Sequence, residues 1–399
     1  MLPALYSSLS FAPPPATDKA GTARWMVSNI NWGALSTTSS RSDGTMVGDA
    51  FGNPYSFADV GGVPYMYASD LDASMQDNAT HSQASLALSE AAITTSDGTA
   101  VFSACDIANV SALGDPENPP CARLVLSGKM ARVAPKSDEE SAAKAALFAR
   151  HPSFKHYPSG HDFFVAKLAL DGIWLIDFYG GAAIIKPADY FAASPSVPAA
   201  ARLLPGVKAP ASAAAVRSKP PPTSKHAETA RWMASNIEYG FLSTTSTRSD
   251  GTTVGQAFGN PYSFADVGGM PYMYASLLDA SMVDTLGTEG ASPRASLALS
   301  EAALPGKPLS SCHIGSFPFG DPENPPCARL VMSGNVVKVT NATEEATAKA
   351  ALFARHPSFK DYPTSHDFFV GKLDVDGLWL IDMFGGAAII KPADYFAAN

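Results

Sequence analysis

Apolar and polar residues alternate along most of the chain in runs short enough for strands, and they reach helical spacing at only a few places. Trp25, Met26 and Ile30 share one face of a short helix over residues 22–30. Residues 33–39 alternate and are rich in Ser and Thr. Ser42-Asp-Gly44 then signals a turn, and a second strand is expected around residues 46–51. Residues 64–68 read as a strand with Tyr65 and Tyr67 on one face, and residues 70–77 as one or two helical turns. Residues 84–90 predict a strand with Leu86 and Leu88 inward, and residues 122–133 a longer one built on Leu124, Leu126, Met130 and Val133. Gly128 within the latter predicts a bulge. Ser137-Asp-Glu-Glu140 is a capping box that opens the main helix, which ends near Arg150, before Pro152. Residues 163–170 and 173–178 read as two strands joined by a tight Asp171-Gly172 turn, and Pro187 opens a last helix over 187–191.

This pattern is written twice. Residues 50–69 recur at 257–276 with one change, Val63 to Met270, and Gly114-Asp-Pro-Glu-Asn-Pro-Pro-Cys121 recurs at 320–327. A period near 207 residues is a duplication of whole domains, since solenoid repeats run about 20–50 residues. The organisation that follows is a flexible tail over 1–22, a first domain over 23–193, an Ala/Pro-rich linker over 194–228 and a second domain over 229–399. Helices with many short antiparallel strands make each domain α+β, a barrel or sandwich.

With net charge −9 and no basic stripe, the chain is not expected to bind nucleic acid, and no run of 18 apolar residues suggests a membrane span. Cys105 with Cys121, and Cys312 with Cys327, bracket equivalent loops. They read either as two disulfides, each worth about 3 kcal/mol, or as four reduced buried thiols. The sequons at Asn78, Asn109 and Asn341 join the cysteine pairs in suggesting a secretory route. Residues 1–22 lack the basic start and apolar core of a signal peptide, which leaves a leader already removed or an organellar, plastid-type transit segment.

Val63-Pro-Tyr-Met-Tyr-Ala-Ser69, Asp115-Pro-Glu-Asn-Pro-Pro-Cys121, Phe148-Ala-Arg-His-Pro152, His161-Asp-Phe-Phe-Val-Ala-Lys-Leu168 and Trp174-Leu-Ile-Asp-Phe-Tyr-Gly-Gly181 resemble the CREG family. The resemblance spans nearly all of both modules. It implies the FMN-binding split barrel shared with pyridoxamine-phosphate oxidases and split-barrel haem-degrading enzymes. It also implies a secreted or endolysosomal glycoprotein, and a superfamily flavin pocket at a dimer interface. Here the interface would lie within one chain, as an intramolecular pseudo-dimer. Animal members carry loop insertions that obstruct that pocket, and residues 50–62 are the corresponding candidate.

For a flavin phosphate the resemblance singles out hydroxyls on early strands and basic residues on a central one. These are Ser36, Thr37, Thr38, Arg41, Ser85 and Arg123, with Ser243, Thr244, Thr245, Arg248, Ser296 and Arg329 in the second module. Each set also reads as ordinary strand chemistry. His151, His161, His356 and His366 recur and suit a haem, metal or proton-relay role, or simply a helix end. Asp177 and Asp382 read as strand-end acceptors, and Gly180-Gly181 as a positive-φ pair. No nucleophile motif and no Rossmann or P-loop glycine pattern is present. Three functions are expected: a non-catalytic or weakly flavin-linked binding protein for a protein or glycan partner; an FMN-dependent oxidoreductase or haem-handling enzyme using the inter-domain cleft; or a structural subunit of a larger assembly.

Overall fold

The computed structural model describes residues 13–94, 101–194, 219–287, 290–306, 309–316 and 319–398. The expected N-terminal tail up to residue 12 and the linker from 195 to 218 lie outside the described residues. The first module runs α1 (Lys19–Asn29), β1 (Trp32–Thr38), β2 (Ala50–Ser56), β3 (Ala58–Val60), β4 (Val63–Ala68), α2 (Ala73–Thr80), β5 (Gln83–Ser89), β6 (Arg123–Arg132), α3 (Asp138–Arg150), β7 (Phe164–Ile176), β8 (Ala183–Ile184) and α4 (Pro187–Ala192). The second repeats it as α5 (His226–Asn236), β9 (Tyr239–Thr245), β10 (Ala257–Ser263), β11 (Ala265–Val267), β12 (Met270–Ala275), α6 (Ala280–Leu286), β13 (Arg294–Ser300), β14 (Arg329–Lys338), α7 (Ala342–Arg355), β15 (Phe369–Ile381), β16 (Ala388–Ile390) and α8 (Pro392–Ala397).

Each module curls one eight-stranded antiparallel sheet, in the order β2-β1-β5-β6-β7-β4-β3 with β8 on β7, into a half-barrel. Strand alternation gives that sheet two apolar faces. Leu35, Leu86, Leu88, Leu124 and Leu126 point into the module's own core, against Trp25 and Met26 of α1. Their neighbours Ala34, Ala87, Val125 and Trp174 point the other way and meet Phe241, Phe258, Val331 and Trp379 of the second module. The seam between the modules is therefore a third core. It is fixed by edge-to-face rings at Phe51–Trp379 and Trp174–Phe258, both 5.6 Å apart.

Helix α3 begins as its capping box requires. Ser137 Oγ accepts from Glu140 N at 3.0 Å, three acidic residues fill the first turn and Arg150 the last. Glu140 itself accepts from Lys136 N and not from the cap backbone. Ala143 and Leu147 bury against Tyr65, Phe154 and Val165.

Three expectations change. The second strand begins at Ala50, not Met46, and runs through Pro54; β2 is a sheet edge, where proline's missing N–H costs no ladder bond, while Met46 and Val47 stay exposed. Helix α2 lies three residues further on, because Asp72 is its N-cap and accepts from Ser74 N and Met75 N. The Asp171-Gly172 turn does not form. Residues 164–176 are one strand, bulged opposite Ser127/Gly128. A Cβ on Gly172 would lie 2.6 Å from Gly251 O of the other module, and Gly377 meets Gly44 O at the same distance. These glycines serve the seam.

Candidate functional site

Six of the twelve residues singled out for a flavin phosphate, the four serines with Arg123 and Arg329, lie at the seam, where the modules bond one another. Ser36 and Ser243 meet at its centre, Oγ to Oγ at 2.8 Å. Ser296 Oγ accepts from Gly52 N at 3.0 Å, and Ser85 Oγ accepts from Gly259 N at 3.1 Å. Edge strands β2 and β10 are thereby clamped onto the opposite module, and the 50–62 segment expected as a loop is largely strand. A Cβ on Gly52 would fall 2.4 Å from Ser243 Oγ, so only glycine permits this approach.

Thr37 and Arg41 turn the other way. Arg41 donates from Nε and Nη2 to both oxygens of the fully buried Asp77, at 3.0 and 3.1 Å, and Thr37 Oγ1 donates to the same carboxylate at 2.9 Å. Thr244, Arg248 and Asp284 repeat this. Thr38 and Thr245 sit half-buried at the ends of their strands.

The central-strand arginines do cross the seam. Arg329 Nη1 donates to Asn53 Oδ1 and Pro54 O, both at 3.2 Å, and Arg123 Nη1 donates to Pro261 O at 3.5 Å. Burial pushes Glu323 and Glu117 well above the usual carboxylate range, against the pull of Arg329 and Arg123 respectively. Asp72 and Asp279 are raised by burial too. Arg329 thus faces Asp72 and Glu323, with Asp321 beside the glutamate, while Arg123 faces Asp279 and Glu117, with Asp115 beside the glutamate. Arg123 Nε and Arg329 Nε are buried there without a hydrogen-bond partner among the described residues, and the buried Tyr55 and Tyr262 hydroxyls face Asp72 and Asp279.

Asp72 and Asp279 are the N-caps of α2 and α6, and the other four carboxylates come from the repeated Gly-Asp-Pro-Glu loops, to which sequence reasoning assigned no chemistry. Asp321 Oδ1 accepts from Ser56 Oγ at 2.6 Å and Glu323 from Ser56 N at 2.9 Å; Asp115 and Glu117 treat Ser263 likewise. The signal available in sequence was their recurrence, letter for letter, in an irregular segment. Each loop is tied to its own sheet by a disulfide, Cys105–Cys121 or Cys312–Cys327, across 16 and 15 residues. Beside the second lies Glu301, which accepts from Ala328 N and which burial holds up at about 7.

His151, wholly buried at the end of α3, joins this network. Its Nε2 lies 2.9 Å from Phe57 O, a pure acceptor, and its Nδ1 lies 2.7 Å from Asp321 Oδ2. Nε2 therefore carries a hydrogen, and one further proton is shared between Nδ1 and the carboxylate. His356 repeats this with Phe264 O and Asp115. With both nitrogens used, neither ring has a lone pair to offer a metal. His161 and His366 are exposed on outer turns. Asp177 pairs with Lys19, Asp382 with His226 at 3.3 Å, and Gly180 and Gly181 take φ of 108° and 94°.

Of the sequons, Asn78 buries its whole side-chain amide, and Asn109 is 4% exposed and accepts from Ala112 N. Asn341 is exposed at the N-cap of α7, accepting through Oδ1 from Thr343 N and Glu344 N. Among the described residues no helix is long and apolar enough to cross a membrane.

Known proteins repeat the duplicated plan one module at a time. Protein CREG1 of Gallus gallus is 35% identical over 190 residues, which span 46% of this chain and 90% of that protein. Protein CREG1 of Homo sapiens is 34% identical over 181 residues, 44% of this chain and 76% of that one. Among solved structures, a haem-binding protein from Mycobacterium smegmatis aligns over 63% of this chain and 90% of its own, with 18% identity and a TM-score of 0.34. The family described as CREG, beta-barrel matches residues 14–192 and again 221–397. The chain belongs to the CREG beta-barrel family and contains its barrel twice.

Proposed function

We propose that this chain is a non-catalytic binding protein of an oxidising extracellular or lumenal compartment. Its two modules are fused into one body that offers its outer faces to a protein or glycan partner. The observation that carries this reading is the use of the seam. Ser36, Ser85, Ser243 and Ser296, singled out for a flavin phosphate, instead bond the two modules together, and Arg123 and Arg329 already donate across the seam. A phosphate dianion placed there would have to displace the bonds these guanidiniums already make across the seam and give up its hydration in a site shielded from water, which is costly. The present residues therefore fit FMN poorly. The two disulfides support the oxidising compartment, and the exposure of Asn341 supports a glycan there.

An FMN-dependent oxidoreductase is the second reading. It rests on the buried Arg123 and Arg329 Nε–H groups, which lack a hydrogen-bond partner among the described residues. The test is an absorption spectrum from 300 to 700 nm of natively purified protein, before and after denaturation and with FMN added. A flat spectrum with no FMN uptake is expected. Released FMN, or saturable uptake lost in Arg123→Ala and Arg329→Ala, overturns the binding-protein reading in favour of the second.

A further inference from the structure

The two modules are close enough in sequence that each difference between them can be read as a change made at a fixed position. One cluster of differences lines a cavity. In the first module the turn after β4 carries Asp70, which pairs with Arg132 at the end of β6, and that guanidinium stacks 3.7 Å above the Phe164 ring. In the second module Leu277 replaces Asp70, Lys338 replaces Arg132 and Leu286 replaces Ala79. Lys338 has no carboxylate within ion-pairing distance among the described residues; its ammonium lies 4.9 Å from the Phe369 ring centre. A cavity of about 470 Å³ lies here, lined by Leu277, Leu278, Leu286 and Phe369 together with Lys338, Asp367, His366 and two serines. Leu277 and Leu278 are 53% and 72% exposed. Asp367 is present in the first module as Asp162, so it is not part of what changed.

We propose that this cavity of the second module is a binding site for a small amphiphilic anion, a free medium-chain carboxylate, at the position where the first module instead carries the Asp70–Arg132 ion pair. The volume falls in the range of small-ligand sites. The two leucines and Phe369 offer apolar surface to a hydrocarbon chain, and the cation that lost its aspartate offers the carboxylate a partner. The site lies on the outer side of the second module and does not depend on whether the seam takes FMN.

The test is calorimetric titration of the full chain with decanoate and with decanol, below their aggregation limits. One decanoate per chain is expected, with decanol at least tenfold weaker. Leu277→Asp with Lys338→Arg rebuilds the pair that the first module already carries in the same register, so the variant is expected to fold, and decanoate affinity should fall at least tenfold. The reciprocal change, Asp70→Leu with Arg132→Lys, should raise the stoichiometry from one to two. No decanoate binding to the wild type, or affinity unchanged in the Leu277→Asp, Lys338→Arg variant, overturns the proposal. So does binding only to phosphatidylcholine vesicles with no uptake of monomeric decanoate, which would make the leucines a membrane contact.

Discussion

At the scale of single residues, the strongest constraint is the buried His–Asp pair repeated across the seam. His151 and Asp321 share a proton in a site closed to water, so removing one partner strands the other. Asp321→Ala is expected to cost about 3 kcal/mol or more in urea unfolding, and His151→Phe with Asp321→Leu together should cost less than the two single changes summed. Additive costs would mean that the pair is not coupled. Glu301 gives a second prediction. Its folded-state value of about 7 lies above the ordinary glutamate value near 4.5, so the folded chain keeps a proton that the unfolded chain has released. That stabilisation is complete below the ordinary value and is lost as pH rises through 7. On this arithmetic wild type should be on the order of 3 kcal/mol more stable at pH 4.5 than at pH 8 from this group alone. Glu117 and Glu323 push the same way. Glu301→Gln should flatten the profile of melting temperature against pH; an unchanged slope would remove Glu301 as its source.

At the scale of elements, most strands and the main helix were legible because local signals and tertiary need agree there. The capping box, the alternating leucines of β5 and β6, and the bulge glycine are cases. Where they disagreed, the neighbouring module decided. Asp171-Gly172 carries a hairpin signal, yet the strand continues because its glycine admits the backbone of Gly251 from 79 residues further along the chain. Sequence could name Ser36, Ser85 and Arg123 as strand residues of chemical interest. It could not say that their partners are Ser243, Gly259 and Pro261, since pairing across a seam between half-barrels leaves no periodic trace. Gly172→Ala tests this account of β7. Its methyl would press on backbone, which cannot swing aside, and should cost about 1–3 kcal/mol. Gly160→Ala, where nothing lies within 4 Å, should be neutral to within about 0.5 kcal/mol. Equal melting temperatures for the two variants would contradict it.

At the scale of the whole molecule, duplication has let two copies of one barrel specialise while sharing a core. The seam keeps reciprocal serine, aspartate and histidine bonds, while Trp32 and Ala34 of its core are matched by Tyr239 and Phe241 and the outer Asp70 by Leu277. Because the modules hold each other through a buried core, cutting an engineered protease site placed within residues 195–218 should leave them co-eluting as a 1:1 complex. Separation into free modules would contradict a shared core. In the secretory expression that the disulfides call for, peptide mass spectrometry should find a glycan on Asn341 and none on Asn78, whose amide is buried.

The hydrogen bonds and rings that cross the seam make it a closed, bonded interface. Hydrogen–deuterium exchange over residues 50–56 and 257–263 tests it most directly, because the Gly52 and Gly259 amides are donated across the seam to Ser296 and Ser85. The account predicts that these edge strands exchange as slowly as the central strands β6 and β14, and that added FMN leaves their rates unchanged. Fast exchange in the free protein, slowed only when FMN is present, would contradict it.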